Sequence, residues 1–354
     1  MLALLTRKSS AHLRWLEARA ALRPFVLSDA VHGGIVCTVP ALAAAYLHNP
    51  LLSWSAIAAF WSYLSIPGGP SANRWLFALA FGLAGAFATW LGVWAIAWPP
   101  LAIGLAAVLG FAGAYAQHSD ARVGFPALLL ATIFAVSTAF VETGVFTAAA
   151  HARYFLCGSL WATGYALLLQ RPKTRAPFVA VRPSVWAMLR ANFTPRSEPF
   201  LHGLRVAVAG AIVVGLVQTC ALNHGYWMIL SVFLILQPQA ASTLRTCLER
   251  LLGTLFGAAI TALLGYFIHS PMLLAVMILP LAIGALIGRA IGLVTYMAFL
   301  TPYIIVVTQV GQFHGSELGL ALLRIFNSLG GALLAVTISL LVCPRWQASP
   351  AGKE

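Results

Sequence analysis

Charge is what this chain has least of. Only 8% of its 354 residues are charged and only eight are acidic, against 61% that are hydrophobic. A water-soluble domain carries roughly 25% charged residues, so this chain cannot clothe a solvated surface. No acidic residue lies mid-span, which argues against a carboxylate proton relay. The five cysteines, Cys37, Cys157, Cys220, Cys247 and Cys343, show no C-x-x-C spacing, so they read as buried thiols rather than a redox pair or zinc ligands. There is no H-E-x-x-H, no G-x-S-x-G and no phosphate-binding loop. The nine histidines are scattered. No catalytic residue, metal ligand or cofactor is expected, and an enzyme is not the favoured reading. The net charge of +13 comes without basic patches interleaved with aromatics, which argues against a nucleic-acid partner.

What fills the chain instead is apolar runs. They recur at about 30–48, 51–66, 73–97, 100–117, 123–141, 152–170, 203–222, 226–244, 248–268, 271–288, 291–310 and 322–343. Runs of this length in a bilayer must satisfy their backbone internally, so they are helices. The fold class is an all-α polytopic membrane protein of about twelve spans. With the N-terminus inside, Arg74, Arg245, Arg250 and Arg289 fall on the cytoplasmic side. Of the 21 Lys and Arg, only Arg153 and Arg324 fall outside. This matches the positive-inside rule and puts both termini in the cytoplasm. The opening residues carry their charges after a short apolar start. They are expected to be a basic segment at the inner membrane face, or a tail, rather than a signal peptide.

The two halves match at an offset of about 170 to 173 residues. The order of landmarks carries the match: His32 falls on His202, Trp54 on Trp227, Arg74 on Arg245 and Arg153 on Arg324. Six spans per half make a parallel repeat, with its axis along the membrane normal. The expected organisation is a basic segment over 1–29, a first six-helix repeat over 30–170, a cytoplasmic linker over 171–200, a second repeat over 201–344 and a tail over 345–354. The linker is expected to hold at most one surface helix, around Trp186.

Within the eighth run, "YWMILSVFLIL" is only about 16 Å long as a helix at 1.5 Å per residue, about half the 30 Å hydrocarbon core. It meets Gln237 and Pro238, and the first half breaks correspondingly at Pro67. Interrupted segments at matching places in two repeats point to a transport site. Arg74, Arg245 and Arg250 follow the breaks. They either line an anion-attracting inner vestibule or anchor helices at the inner surface. Glu249 is placed to pair with Arg245, which leaves Arg250 for a substrate. Arg153 and Arg324 form either an outer anion gate or salt bridges with Glu142 and Glu317. His32 and His202 are either a titrating pair or ordinary interfacial histidines. Trp54, Tyr226 and Trp227 suit an interfacial aromatic belt better than a binding box. Gly253-xxx-Gly257 and Gly284-xxx-Gly288-xxx-Gly292 read as helix-packing motifs.

The stretch from His202 to Ala258 resembles the FUSC-like inner membrane proteins, the fusaric acid resistance and aromatic acid exporter superfamily. The landmarks are Tyr226-Trp227, Gln237-Pro238, Thr243 and Arg245 after them, and Arg250-x-x-Gly253-Thr254. The resemblance implies an exporter of aromatic carboxylic acids in a bacterial inner membrane, with kinship to dimeric anion channels. Larger members carry a soluble domain, where this chain has a linker of about thirty residues. The expected partners are an organic anion, the lipid bilayer and a second copy of the chain. The other readings are a non-conducting subunit and, behind it, a membrane enzyme.

Overall fold

The computed structural model describes residues 24–66, 74–118, 121–140, 144–169, 185–195, 197–238, 240–310 and 317–342. Among them the chain forms thirteen helices and no strand. These are α1 (Pro24–Tyr46), α2 (Leu51–Ser65), α3 (Arg74–Ala95), α4 (Pro99–Ala116), α5 (Ala121–Ser137) and α6 (Val145–Leu169). Then come the short α7 (Val185–Asn192), α8 (Glu198–Thr219), α9 (Tyr226–Ile235), α10 (Ala240–Phe267), α11 (Pro271–Ile291), α12 (Leu293–Gln309) and α13 (Glu317–Leu341). Seven are long and apolar enough to cross a bilayer: α1, α3, α4, α8, α10, α11 and α13. The chain is a multi-pass membrane protein.

Local chemistry sets the helix ends. Pro99 and Pro271 sit in the first turns of α4 and α11, where a missing N–H costs nothing. Ser197 caps α8 by accepting from the Phe200 amide at 3.3 Å. The turns after α1 and α8 share one geometry. In each, a non-glycine residue takes a positive φ, His48 at 49° and Ala221 at 46°. In each, the residue immediately after it bonds back five positions: Asn49 N–H to Ala44 O, and Leu222 N–H to Val217 O, both at 3.1 Å. This is the Schellman way of ending a helix, used at two places that the repeat offset relates.

The eighth and ninth runs are divided differently from the expectation. The structure ends α9 at Ile235 and starts α10 at Ala240, so 240–244 belongs to the later helix. Gln237 precedes a proline and is steered out of helical backbone. Pro238 has no N–H to give. The first half shows the same layout: α2 ends at Ser65 and α3 starts at Arg74. Pro67 lies outside the described residues.

The chain forms two compact units, each drawing on both halves. One comprises residues up to Phe60 together with Leu252–Leu322. In it α1 packs on α11, and α11 on α12. Gly253 and Gly257 of α10 let that helix lie against Met297 and Thr301 of α12, the close approach expected of a small-xxx-small motif. The other unit comprises Trp61–Leu251 and the residues from Leu323 on. In it α4 packs on α8, α3 on α6, and α9 on α5 and α8. Trp54 and Trp227 are both buried, so neither belongs to a lipid-facing aromatic belt.

Candidate functional site

The break between α9 and α10 is held from three sides. Arg205 of α8 donates from Nε to Val342 O at 2.8 Å, and from Nη1 to Pro238 O. Thr243 Oγ1 accepts the Gln237 amide at 3.1 Å and lies 3.4 Å from Ser339 Oγ of α13. The carbonyl of Pro238 itself, which falls in the break between the helices, therefore has a cationic donor, and the irregular backbone is fixed. Gln237 and Pro238 are half-buried.

On α13, Arg324 is fully buried, and none of its three guanidinium nitrogens meets an acceptor among the described residues. Its Cζ stands 5.3 Å from the centroid of the Trp227 ring, within cation–π range. The charge of Arg250, itself 2% exposed, acts on it, as does the Tyr226 phenol. Ser328, one turn along α13, has a buried hydroxyl, and Trp227 a buried indole N–H; neither has a partner among the described residues. One cation and two neutral donors thus lie on α9 and α13, within the electrostatic reach of Arg250 on α10. A guanidinium held in hydrocarbon without a counter-charge costs several kcal/mol. The arrangement suits an oxyanion.

Two features set the position of Trp227. A Cβ on Gly331 of α13 would lie 2.5 Å from Met228 O and 2.7 Å from Ser231 Cβ, so only glycine lets α9 come this close. Asn327 Nδ2 donates to Asn223 O at 3.2 Å and ties α13 to the α8–α9 turn. In that turn His224, at φ 54°, stacks on Trp227 with centroids 4.9 Å apart. Burial pushes the His224 imidazole below its ordinary pKa.

The other candidates do not join this region. Arg245 is exposed, and its Nε is 2.7 Å from Glu249 Oε1. This is the expected i, i+4 pair, and it contributes little at a surface. Arg74 opens α3, and its buried Nε meets no acceptor among the described residues. Arg153 is exposed and stands 5.2 Å from the Tyr154 ring centroid, so it does not repeat the burial of Arg324. Glu142 lies outside the described residues, and Glu317 is described only as the first residue of α13. His202 is fully buried, 3.2 Å from Gln117 Oε1, with the His118 ring 5.7 Å away. His32 is half-buried and belongs to the other unit. Sequence reasoning missed Arg205, His118 and Ser328 as site residues. It also weighted Trp227 toward the lipid interface, although the offset to Trp54 already marked it.

This is a multi-pass helical protein with a buried cationic region beside a broken helix. Residues 206–338 match the family model described as fusaric acid resistance protein-like. Over that segment, which holds Trp227, Arg250 and Arg324, the chain is FUSC-like. The inner membrane protein YccS of Escherichia coli is 29% identical over 164 residues, which cover 46% of this chain and 22% of that protein. An uncharacterized Synechocystis protein, slr1298, is 26% identical over 155 residues, or 44% of this chain and 20% of that one. An uncharacterized Neisseria gonorrhoeae protein, ORF2, is 29% identical over 87 residues, or 25% of this chain and 21% of that one. The chain thus spans about a fifth of the length of these curated relatives. No solved structure matches it.

Proposed function

We propose that this chain is an inner-membrane exporter, carrier or channel, for organic carboxylic acids, aromatic ones above all. The observation that carries the reading is the buried Arg324 guanidinium, without an acceptor among the described residues, set over the Trp227 ring and within reach of the Arg250 charge. A carboxylate supplies the missing counter-charge, and a ring on the substrate finds an aromatic wall. The likeness to YccS, an inner membrane protein, supports the location. The fusaric acid resistance-like match supports transport of an acid. In this reading twelve spans form two parallel six-helix repeats with both termini in the cytoplasm, and the chain works as a homodimer. An inside-negative potential favours anion exit by about 2.3 kcal/mol per charge per 100 mV, so export needs no proton relay of carboxylates.

The test is efflux of benzoate-like anions from liposomes holding the purified protein. Saturable efflux is expected, falling at least about tenfold in Arg324→Gln, a loss of about 1.4 kcal/mol. Efflux should stay near wild type in Arg289→Ala, which removes an exposed charge. A second reading is a membrane subunit that conducts only with a partner. No flux from correctly folded protein would select it.

A further inference from the structure

The short α7 is fastened to the ends of two long apolar helices. Tyr115, in the last turn of α4, donates its hydroxyl to Leu189 O of α7. Phe193, just past α7, stands edge to face with Tyr115 at 5.8 Å between centroids, and with Phe200, in the first turn of α8, at 5.5 Å. The α7–α8 turn is closed by Ser197, whose Oγ donates to Thr194 O at 2.9 Å. Both α4 and α8 are long and apolar enough to cross a bilayer, so this end of the pair lies at headgroup depth. The bonds and rings hold α7 there with it.

Two side chains at this corner face outward. Phe193 is 61% exposed in spite of its ring contacts. Arg190, in the last turn of α7, is exposed one turn before it. An exposed ring beside an exposed guanidinium suits the boundary between acyl chains and phosphates. The ring enters the apolar side, and the guanidinium meets phosphate oxygens in a charge-assisted fork. The sequence around them has one sign of charge. From 171 to 197 it carries Arg171, Lys173, Arg175, Arg182, Arg190 and Arg196 and no acid. Glu198 follows in the first turn of α8, where the helix dipole favours it. A basic cluster of this size next to a span attracts anionic lipid. Orientation in the membrane would account for the charge alone, but not for an exposed ring pinned next to it.

We propose that the α7 corner is a docking surface for anionic phospholipid headgroups. Arg190 donates to the phosphate, and Phe193 sits among the first carbons of the acyl chains. The lipid charge then sets how firmly α7 holds to the ends of α4 and α8.

The test needs no flux, so it is independent of the Arg324 reading. Amide hydrogen exchange is followed over residues 185–197 of the full chain, in nanodiscs of phosphatidylcholine alone or mixed with phosphatidylglycerol. Exchange should slow by at least about fivefold with phosphatidylglycerol, the factor for one basic residue at an anionic surface. The difference should shrink at high salt. Arg190→Gln should remove most of it, Arg190→Lys should keep most of it, and Phe193→Ser should reduce it. Exchange at 185–197 that is the same in both discs would overturn the proposal and leave the charge for a protein partner. Slowing that Arg190→Gln leaves intact would overturn it too. So would an equal slowing at the turn after α11, beside the exposed Arg289, because that marks a general effect of surface charge.

Discussion

Arg205 shows how much a single side chain can hold in this protein. Its two donors reach the carbonyl of Pro238 in the break and the carbonyl of Val342 just past α13, so it joins α8, the break and α13. Charge-assisted bonds to buried carbonyls contribute more than neutral ones. Arg205→Met keeps the length and apolar stem but leaves both carbonyls without that donor. A loss on the order of 3 kcal/mol is expected, read as a lower unfolding midpoint in detergent. In the sequence Arg205 was one more basic residue at the end of a cluster, and nothing local set it apart. Arg324 was legible because it broke the orientation rule. The Arg245–Glu249 pair was legible from its spacing. His118 was not, because its partner is a histidine 84 positions later, brought to it only by the α4–α8 packing.

The short α9 depends on the glycines of α13. Gly331 abuts a backbone oxygen, Met228 O, whereas Gly330 abuts only the flexible end of the Met228 side chain, at 3.2 Å. Gly331→Leu should therefore push α9 off α13 and move Trp227 away from Arg324. Overpacking of this kind costs about 1–3 kcal/mol. The expected signs are a lower unfolding midpoint and a shifted tryptophan emission. Gly330→Ala should leave both nearly unchanged, because the methionine can turn aside. Most helices were legible as apolar runs, since a bilayer leaves the backbone few choices. The end of α9 was harder to place. The small residues Ala240, Ala241 and Ser242 continue the apolar run on paper, yet the structure assigns them to α10.

Over the whole chain, the compact units cut across the two halves of the sequence. The first unit pairs α1 with α11 and the second pairs α4 with α8, so each pairing takes one helix from each half. Landmarks recurring at an offset of about 170 to 173 residues could be read in the sequence. The exchange of helices could not, because an offset relates equivalent positions and says nothing of which surfaces meet. Residues 1–200 or 201–354 expressed alone should give protein that is readily proteolysed in detergent. The two fragments expressed together should restore a protected complex. Protection of either fragment by itself would count against this pairing. The exchange also bears on biosynthesis. Gly34 of α1 ends up against Leu279 and Ile283 of α11, about 250 residues later in the chain. At about 5–20 residues per second, a ribosome needs roughly 10–50 s to deliver that partner. For that interval α1 must wait in the bilayer with its packing face turned to lipid or to a chaperone.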